Sequence, residues 1–170
     1  CLITNCGRNM VLAGGGNYLF KHCTVAAFSN SYMLHSDPVL QVSNFVLVNN
    51  LPVTAPLNAN FINSIFWGDF GTSNEEVVVA RTGTDAFNVH FDHSLIKAED
   101  LLPDVQLTQC IFNQNPLFQS IETGEGYYNF RLQQNSPAVE SARPGGSATD
   151  LDGVSRPAGS LPDIGCFEYH

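Results

Sequence analysis

The sequence predicts an all-β fold built as a β-solenoid, and three observations lead to this prediction. A short motif recurs between residues 3 and 112, and its copies are rich in β-branched and aromatic residues. The third residues of successive copies are 17, 22, 19, 30 and 16 residues apart, which is too irregular for helical repeats of fixed length. A solenoid accepts loops of any length between its strands. The six copies span residues 3–6, 20–25, 42–47, 61–66, 91–96 and 107–112.

Each copy predicts two short strands that meet at a bend, with the third residue at the corner. This residue is an amide or an imidazole, and Asn in particular tolerates left-handed backbone. Corner side chains on rungs about 4.8 Å apart can bond to one another, so we expect a structural ladder of Asn5, His22, Asn44, Asn63, His93 and Gln109. The fourth residues are expected to point inward as a stack of mostly small side chains: Cys6, Cys23, Phe45, Ser64, Ser94 and Cys110.

The segments between copies carry turn chemistry. The glycines of "AGGGN" at residues 13–17 predict a tight turn, and no Lys-Ser or Lys-Thr follows to make a phosphate loop. A proline-bearing connection follows at residues 51–60. In the longest gap, Val77-Val78-Val79 is expected to be a third strand of a rung.

The stretch His90-Phe91-Asp92-His93 places two histidines around an acid, a spacing that invites a metal site. His93 occupies the corner position, where other copies carry Asn, so we interpret it as a corner residue with a structural hydrogen bond. His90 is expected to lie just before the strand, and Asp92 falls in the variable second position of the motif. Zinc bound by His90 and His93 is the alternative, but no third ligand is evident.

Composition narrows the class of protein. A chain of 170 residues with 44% hydrophobic residues can bury one sizeable core, so we expect a single folded domain. The formal net charge of −9 and the absence of a basic run exclude nucleic acid as a favoured partner. No apolar run is long enough for a transmembrane segment.

The cysteines and the start of the chain leave alternatives open. Five cysteines without a C-x-x-C indicate buried free thiols rather than a disulfide framework, and the redox state of Cys6 and Cys23 stays open. The chain enters a strand-like pattern directly at Cys1. We therefore expect an excerpt whose N-terminal edge is covered by upstream rungs or a partner chain. A lipid-modified Cys1, as in a bacterial lipoprotein, is the alternative.

The C-terminal third carries a family resemblance. Its segments are "NPLF" at 115–118, "NFRLQQNSPAV" at 129–139, "TDLDGVSRP" at 149–157 and "PDIGCFEY" at 162–169. Together they closely resemble the end of secreted right-handed parallel β-helix proteins of the choice-of-anchor Q type, which are common in Bacteroidetes. The chain departs from that group at Glu140-Ser141-Ala142 and at Cys166.

The resemblance implies a right-handed parallel β-helix with a C-terminal cap. Residues 1–114 would form the rungs, and residues 115–170 the last rung and the capping region. The implied location is either extracellular or at the outer-membrane surface of a bacterium. An exposed last rung must be covered to prevent edge-to-edge pairing, and we expect this cover from Ile164, Phe167 and Tyr169.

Candidate ligand-binding residues are sparse. An aspartate pair before glycine, Asp150 and Asp152, faintly resembles a calcium loop, with an Asx-type turn as the alternative. The neighbouring acids Glu75-Glu76 and Glu99-Asp100 are expected in loops, and no catalytic cluster stands out. Aromatic residues in predicted loops either stack on a sugar ring or cover the core: Tyr32, Trp67, Phe70, Tyr127 and Tyr128.

These features predict a non-catalytic module at a cell surface that binds a glycan or a partner protein, or acts as a scaffold. The lack of converging ionisable groups favours this function. One alternative is part of a polysaccharide lyase or glycoside hydrolase whose active site lies mostly outside this chain. Another is an accessory subunit of an outer-membrane assembly, docked through its N-terminal edge.

Overall fold

The computed structural model describes residues 1–69, 71–73, 75–99 and 104–170. These residues form strands and no helix, which confirms the all-β prediction. Accordingly, the described part contains no helix able to cross a membrane. In chain order the strands are β1 (Leu2–Thr4), β2 (Met10–Leu12), β3 (Gly16–Lys21), β4 (Thr24–Ala27), β5 (Leu40–Ser43), β6 (Phe45–Val48), β7 (Leu51–Thr54), β8 (Leu57–Ile62), β9 (Ile65–Gly68), β10 (Val77–Ala80), β11 (Phe87–Asp92), β12 (Leu95–Ile96), β13 (Val105–Thr108), β14 (Ile111–Phe112), β15 (Phe118–Glu122) and β16 (Tyr127–Leu132).

Twelve of these strands form three parallel sheets. The three-stranded sheet has the order β10-β5-β2, the four-stranded sheet β13-β11-β8-β3, and the five-stranded sheet β1-β4-β9-β12-β14. The chain visits the sheets in a repeating order, for example β2, β3, β4 and then β5, β8, β9. The remaining four strands form two antiparallel hairpins, β6–β7 and β15–β16.

The main core lies between the three sheets. Phe20, Phe61 and Phe91 occupy the same register position in the four-stranded sheet. Their rings stack, with centroids 5.5 Å apart for Phe20 and Phe61 and 4.7 Å apart for Phe61 and Phe91. Phe66, from the five-stranded sheet, meets both Phe61 and Phe91 edge-on. The recurring phenylalanine of the motif therefore builds a continuous aromatic stack at the centre of the molecule.

A second core lies on the other face of the five-stranded sheet. All four residues of β9 are buried, because apolar side chains point to both faces of that strand. Ile65 and Trp67 pack there against the β15–β16 hairpin and the segment 133–170 that follows it. Ile164 and Phe167 belong to this cluster. The sequence analysis expected the C-terminal region to cover the exposed last rung. In the structure, Ile164 and Phe167 instead pack on one face of the five-stranded sheet, against Ile65 and Trp67.

The predicted ladder is divided among three corners. His22, Asn63, His93 and Gln109 lie together between the four-stranded and five-stranded sheets, with φ of 49°, 53°, 46° and 47°. We call these four residues the corner ladder. Asn5 instead follows β1, at the far end of the five-stranded sheet, and accepts a hydrogen bond from the Phe28 backbone N–H at 3.0 Å. Asn44 follows β5 and exchanges two hydrogen bonds with the backbone of Thr82.

The small inward residues beside the corner ladder link neighbouring strands. Ser64 Oγ accepts from the Cys23 backbone N–H at 3.2 Å, and Ser94 Oγ accepts from the Ser64 N–H at 3.3 Å. Cys110 continues this stack, with its thiol directed at the Phe91 carbonyl. Cys6 is exposed and Phe45 begins the β6–β7 hairpin, so neither belongs to the stack. All five cysteines are free thiols.

Candidate functional site

A polar groove lies between the end of β9 and the β15–β16 hairpin. Its volume is about 440 Å³. The hairpin forms one wall because Phe118 and Phe130 anchor it in the second core. No lining side chain carries a charge. We call this site the amide-lined groove; it is lined by Phe28, Trp67, Asn115, Leu117, Phe118, Gln119, Ser120, Ile121 and Gln133.

Aromatic packing fixes the shape of the groove. The Phe28 ring meets Phe118 edge-on at 6.5 Å and stacks on Tyr128 at 6.5 Å. The Tyr128 hydroxyl accepts a hydrogen bond from Asn30 Nδ2 at 3.1 Å, which ties the hairpin to the loop after β4. Trp67 is 9% exposed, and Lys97 Nζ lies 5.2 Å from its ring centroid. Trp67 is thus largely a core residue that supports the groove.

Three side-chain amides supply the groove's polar character. Gln119 Oε1 accepts from Asn129 Nδ2 at 2.9 Å, and Gln133 Nε2 donates to the Phe118 carbonyl at 2.8 Å. Asn115 Oδ1 accepts from the Leu117 backbone N–H at 2.9 Å. Each contact uses one polar atom and orients the amide. The second polar atoms, Gln119 Nε2, Gln133 Oε1 and Asn115 Nδ2, have no protein partner within the described ranges.

The aromatic residues that the sequence analysis proposed as ligand-binding lie in different environments in the structure. Trp67 and Tyr128 are brought together through Phe28 and the hairpin. Tyr127 is 55% exposed on β16, and Tyr32 is 97% exposed in the loop after β4. Phe70 lies outside the described residues. The three groove amides were missed because their proximity depends on how the hairpin packs.

The outward face of the four-stranded sheet is a second polar surface that the sequence analysis missed. We call it the amide face. Asn17, Asn58 and Asn88 share one register position, and Leu19, Asn60, His90 and Gln106 share another. His90 lies inside β11 rather than before the strand, and it contacts the Thr108 hydroxyl at 2.8 Å. Alternating polar residues in β8 and β11 were the signal that could have revealed this face.

Asp92 and His93 have structural partners. His93 Nδ1 lies 2.6 Å from Asp92 Oδ1, and Arg143 Nη1 lies 2.5 Å from Asp92 Oδ2. Burial alone would raise the pKa of Asp92, but the hydrogen bonds from His93 and Arg143 outweigh it and lower the pKa below its usual value. Within the described residues, no three His, Cys, Asp or Glu side chains are arranged to hold a metal ion.

The aspartate pair of the faint calcium motif is engaged within the protein. Asp150 Oδ1 accepts the backbone N–H groups of Asp152 and Val154, both at 2.8 Å, as an Asx-type turn would. Its Oδ2 accepts the Glu168 N–H at 2.9 Å. Both oxygens of Asp152 contact Arg131 at 2.6 Å. These contacts connect the turn at 150–154 to the end of the chain.

His22 joins the corner ladder to the C-terminal segment. Asn63 Nδ2 lies 3.0 Å from His22 Nε2, and the Asn63 amide also exchanges two hydrogen bonds with the backbone of Arg143. The His22 side chain is buried, and its pKa is lowered from 6.5 to about 4 because burial disfavours the charged ring and Arg156 repels it. His22 is therefore neutral at pH 7.

We expect His22 to make the free energy of unfolding depend on pH. The unfolded chain binds a proton near pH 6.5 and the folded chain only near pH 4, so this contribution is complete above pH 6.5 and is lost as the pH falls to about 4. The loss is about 3 kcal/mol. Urea unfolding across this pH range checks it. His22→Asn should remove this dependence of the free energy of unfolding on pH, and His90→Asn should keep it. The same pH dependence in wild type and His22→Asn would contradict the prediction.

No protein-family model, curated protein or solved structure matches the chain. Function is therefore inferred from the chemistry of the sites. Two neutral amide-bearing surfaces stand out, and the amide-lined groove is the concave one. Concave sites with a few oriented polar groups are the usual form of small-ligand sites.

Proposed function

We propose that the chain is a carbohydrate-binding module without catalytic activity of its own, and that the amide-lined groove holds a neutral glycan. One observation carries this proposal: three oriented amides, each with one free polar atom, line the same groove beside Phe28. Amides both donate to and accept from hydroxyl groups. The half-buried Phe28 supplies apolar contact for the carbon-bound face of a sugar ring.

The charge of the groove favours a neutral ligand. An acidic polysaccharide would need a cation among the lining residues, whereas those residues are uncharged and the chain carries a net charge of −9. The nearby Lys97 donates to the Gly68 carbonyl at 2.5 Å and lies against Trp67. We therefore expect hydroxyl-rich, uncharged oligosaccharides to bind best.

We also propose that the three parallel sheets wind as a right-handed parallel β-helix of the choice-of-anchor Q type. The repeating visits to the three sheets and the in-register stack of Phe20, Phe61 and Phe91 support a solenoid. The resemblance at the C-terminal end supports the family and an extracellular or outer-membrane location. A secreted surface module is a natural setting for glycan binding.

An enzymatic role has weaker support. Glu76 is fully buried and lies 2.8 Å from His35, so it is shielded from a substrate. Glu75 Oε2 accepts from the Glu99 backbone N–H at 3.1 Å. Neither acid faces the amide-lined groove. In a polysaccharide lyase or glycoside hydrolase, Glu75 and Glu76 would therefore not be the acid–base pair that acts on a glycan in this groove.

Partner-protein docking, as in an accessory subunit, is a second candidate function. The β6–β7 hairpin carries no charged residue, and apolar side chains on it are exposed. A two-stranded apolar ribbon in water favours association. If this candidate is correct, the chain will elute as an assembly, and a hairpin variant with serines will elute as a monomer. The exposed apolar residues are Val46, Leu47, Val48, Leu51 and Val53.

An array of neutral and acidic oligosaccharides, followed by calorimetry on the best ligand, tests the groove. We expect neutral ligands to bind and Gln119→Leu to weaken binding about tenfold, because one free amide donor is lost. Gln106→Leu, on the amide face, is the matched control and should bind like wild type. The groove assignment is wrong if Gln106→Leu loses binding and Gln119→Leu does not, and the whole proposal fails if no glycan binds.

A further inference from the structure

The four-stranded and five-stranded sheets both end in an open edge at the same end of the molecule. β13 is the last strand of the first sheet and β14 the last strand of the second, and Gln109 and Cys110 form the corner between them. We call residues 105–112 the terminal edge. In the described part of the chain, neither strand has a hydrogen-bonded neighbour on its outer side. The C-terminal region packs on a face of the five-stranded sheet and leaves this edge open.

The apolar core is partly exposed at the terminal edge. Phe61, Phe91 and Leu107 occupy one register position of the four-stranded sheet. The two phenylalanines are fully buried, whereas Leu107 is 37% exposed. On β14, Phe112 is half-buried, although Ile96 at the same register position of β12 is fully buried. Side chains that inner strands cover from both directions are therefore covered from one direction only at this edge.

A repeated series of backbone hydrogen bonds stops at the terminal edge. At each earlier position of the corner ladder, the corner N–H donates to a carbonyl of the next strand in the four-stranded sheet. The donor–acceptor pairs are His22–Ile62, Asn63–Asp92 and His93–Thr108, at 3.0, 2.9 and 2.8 Å. Gln109 is the next corner residue, and its N–H has no acceptor within the described residues. The series therefore leaves one directed donor at the edge.

The carbonyl groups that follow the corner show the same interruption. On earlier strands of the five-stranded sheet, these carbonyls accept from the next strand or from the residue after it. The donor–acceptor pairs are Leu95–Ser64, Ile111–Ser94, Lys97–Phe66 and Asn113–Ile96, at 2.9, 2.9, 3.0 and 3.0 Å. The equivalent carbonyls of Cys110 and Phe112 have no donor among the residues that the structure describes. Another unit of strand, corner and strand would continue both series.

The composition of the terminal edge favours strand addition. Proteins commonly protect an edge strand with a charged side chain or a proline, and residues 105–112 contain neither. The neighbouring three-stranded sheet is covered by the chain itself. There the Glu99 N–H donates to Glu75 Oε2 at 3.1 Å, and Arg81 pairs with Asp104 at 3.8 Å. An added segment therefore spans two sheets and the one corner between them.

We propose that the terminal edge binds an extended segment of a partner protein, which adds one parallel strand to each of the two sheets. The segment turns the corner at an amide or imidazole residue, as the chain's own strands do. Its backbone accepts from the Gln109 N–H and donates to the carbonyls of Cys110 and Phe112. An apolar side chain of its first strand covers Leu107. Main-chain hydrogen bonds supply the affinity, and the apolar side chain and the corner residue supply the specificity.

A second copy of the chain does not match the terminal edge strand for strand. At the opposite end of the sheets, β3 is the outer strand of the four-stranded sheet, whereas β1 extends the five-stranded sheet by one strand beyond β4. That end is stepped, while the terminal edge is level, so head-to-tail stacking of two copies leaves one strand position empty. The partner is therefore another protein. The terminal edge shares no residue with the amide-lined groove, so the proposal is independent of the proposed function.

A fluorescently labelled peptide with the sequence of residues 85–97, DAFNVHFDHSLIK, is the probe. The same sequence pairs with β13 and β14 inside the protein, with Phe91 opposite Leu107 and Ile96 opposite Phe112. Fluorescence anisotropy should show micromolar binding to the whole chain. The matched control is the same peptide with His93→Pro. It should not bind, because proline cannot adopt the left-handed backbone of the corner.

Hydrogen–deuterium exchange measured by nuclear magnetic resonance locates the bound peptide. The Gln109 amide, which has no acceptor, should exchange at least about tenfold more slowly when the peptide is bound. The His93 amide already donates to the Thr108 carbonyl at 2.8 Å, so its exchange should stay unchanged. Binding that leaves the exchange of Gln109 unaltered would place the peptide elsewhere and overturn the proposal.

Two lysine variants of β13 test the edge directly. Leu107→Lys places a charge where the added strand would lie, so we expect the affinity for the peptide to fall at least about tenfold. Gln106→Lys places the same charge on the amide face and should bind like wild type. Circular dichroism checks that both variants fold; if Leu107→Lys does not, the Gln109 exchange measurement decides.

Three results would overturn the proposal. The first is that the peptide does not bind to the chain, and the second is that the His93→Pro peptide binds equally well. The third is that folded Leu107→Lys binds like wild type. Size-exclusion chromatography of the chain without peptide tests the source of the partner, and we expect Leu107→Lys to leave the elution volume unchanged. An assembly that Leu107→Lys disperses would show that a second copy occupies the edge, which contradicts the assignment to another protein.

Discussion

Replacing Arg156 with methionine is expected to destabilise the fold by about 3–5 kcal/mol. The Arg156 and Glu168 side chains are 2% and 0% exposed, and Arg156 also donates to the carbonyls of Asp163 and Gly165. Removal of the guanidinium leaves the Glu168 carboxylate buried without a counter-ion. Urea unfolding monitored by circular dichroism measures the change.

Two further variants test the cause of that loss. Arg131→Met breaks an ion pair with Asp152 at the surface, where the side chains are 41% and 28% exposed, and should cost only about 1 kcal/mol. Adding Glu168→Gln to Arg156→Met should recover much of the lost stability, because the buried charge is gone. If the double variant is no more stable than Arg156→Met, the unpaired carboxylate is not the reason for the loss.

Phe61→Ala is expected to have a comparable effect, about 3–5 kcal/mol. Phe61 is fully buried and its ring contacts those of Phe20, Phe66 and Phe91, at 5.5, 5.3 and 4.7 Å between centroids. The substitution opens a cavity at the centre of the aromatic stack. Because neighbouring strands contribute these rings, the cavity cannot collapse without shifting the sheets.

Leu19→Ala is the matched control for Phe61→Ala. Leu19 is 61% exposed on the neighbouring strand β3, and its truncation should change the free energy of unfolding by no more than about 0.5 kcal/mol. Chemical unfolding of both variants gives the comparison. A loss below about 1 kcal/mol for Phe61→Ala would mean that the aromatic stack does not stabilise the core as proposed.

The sequence predicted the local features of the fold well. Strand-forming residues near each corner predicted β4, β9, β12 and β14, and the all-β class with mostly parallel sheets is confirmed. Val77-Val78-Val79 lies in β10, as expected. These features depend on short-range preferences, namely β-branched residues in strands and left-handed backbone at amide-bearing corners.

The sequence could not assign each corner to its sheet. Asn5, Asn44 and Asn63 follow similar local patterns, yet they lie at three different corners because each strand's sheet depends on its distant partners. A motif of six residues holds no information about which sheet precedes the bend. The small stack of Cys23, Ser64 and Ser94 was recognisable because its members share one corner.

The strand content and the corner residues His22, Asn63, His93 and Gln109 could be predicted from the sequence alone. Only the tertiary structure decided the candidate sites. The hydrogen bonds between Asn63 and Arg143 join residues 80 positions apart. The groove amides likewise meet because the β15–β16 hairpin folds over the five-stranded sheet. The physical reason is that backbone preferences act over a few residues, whereas a binding site requires side chains that only long-range packing brings together.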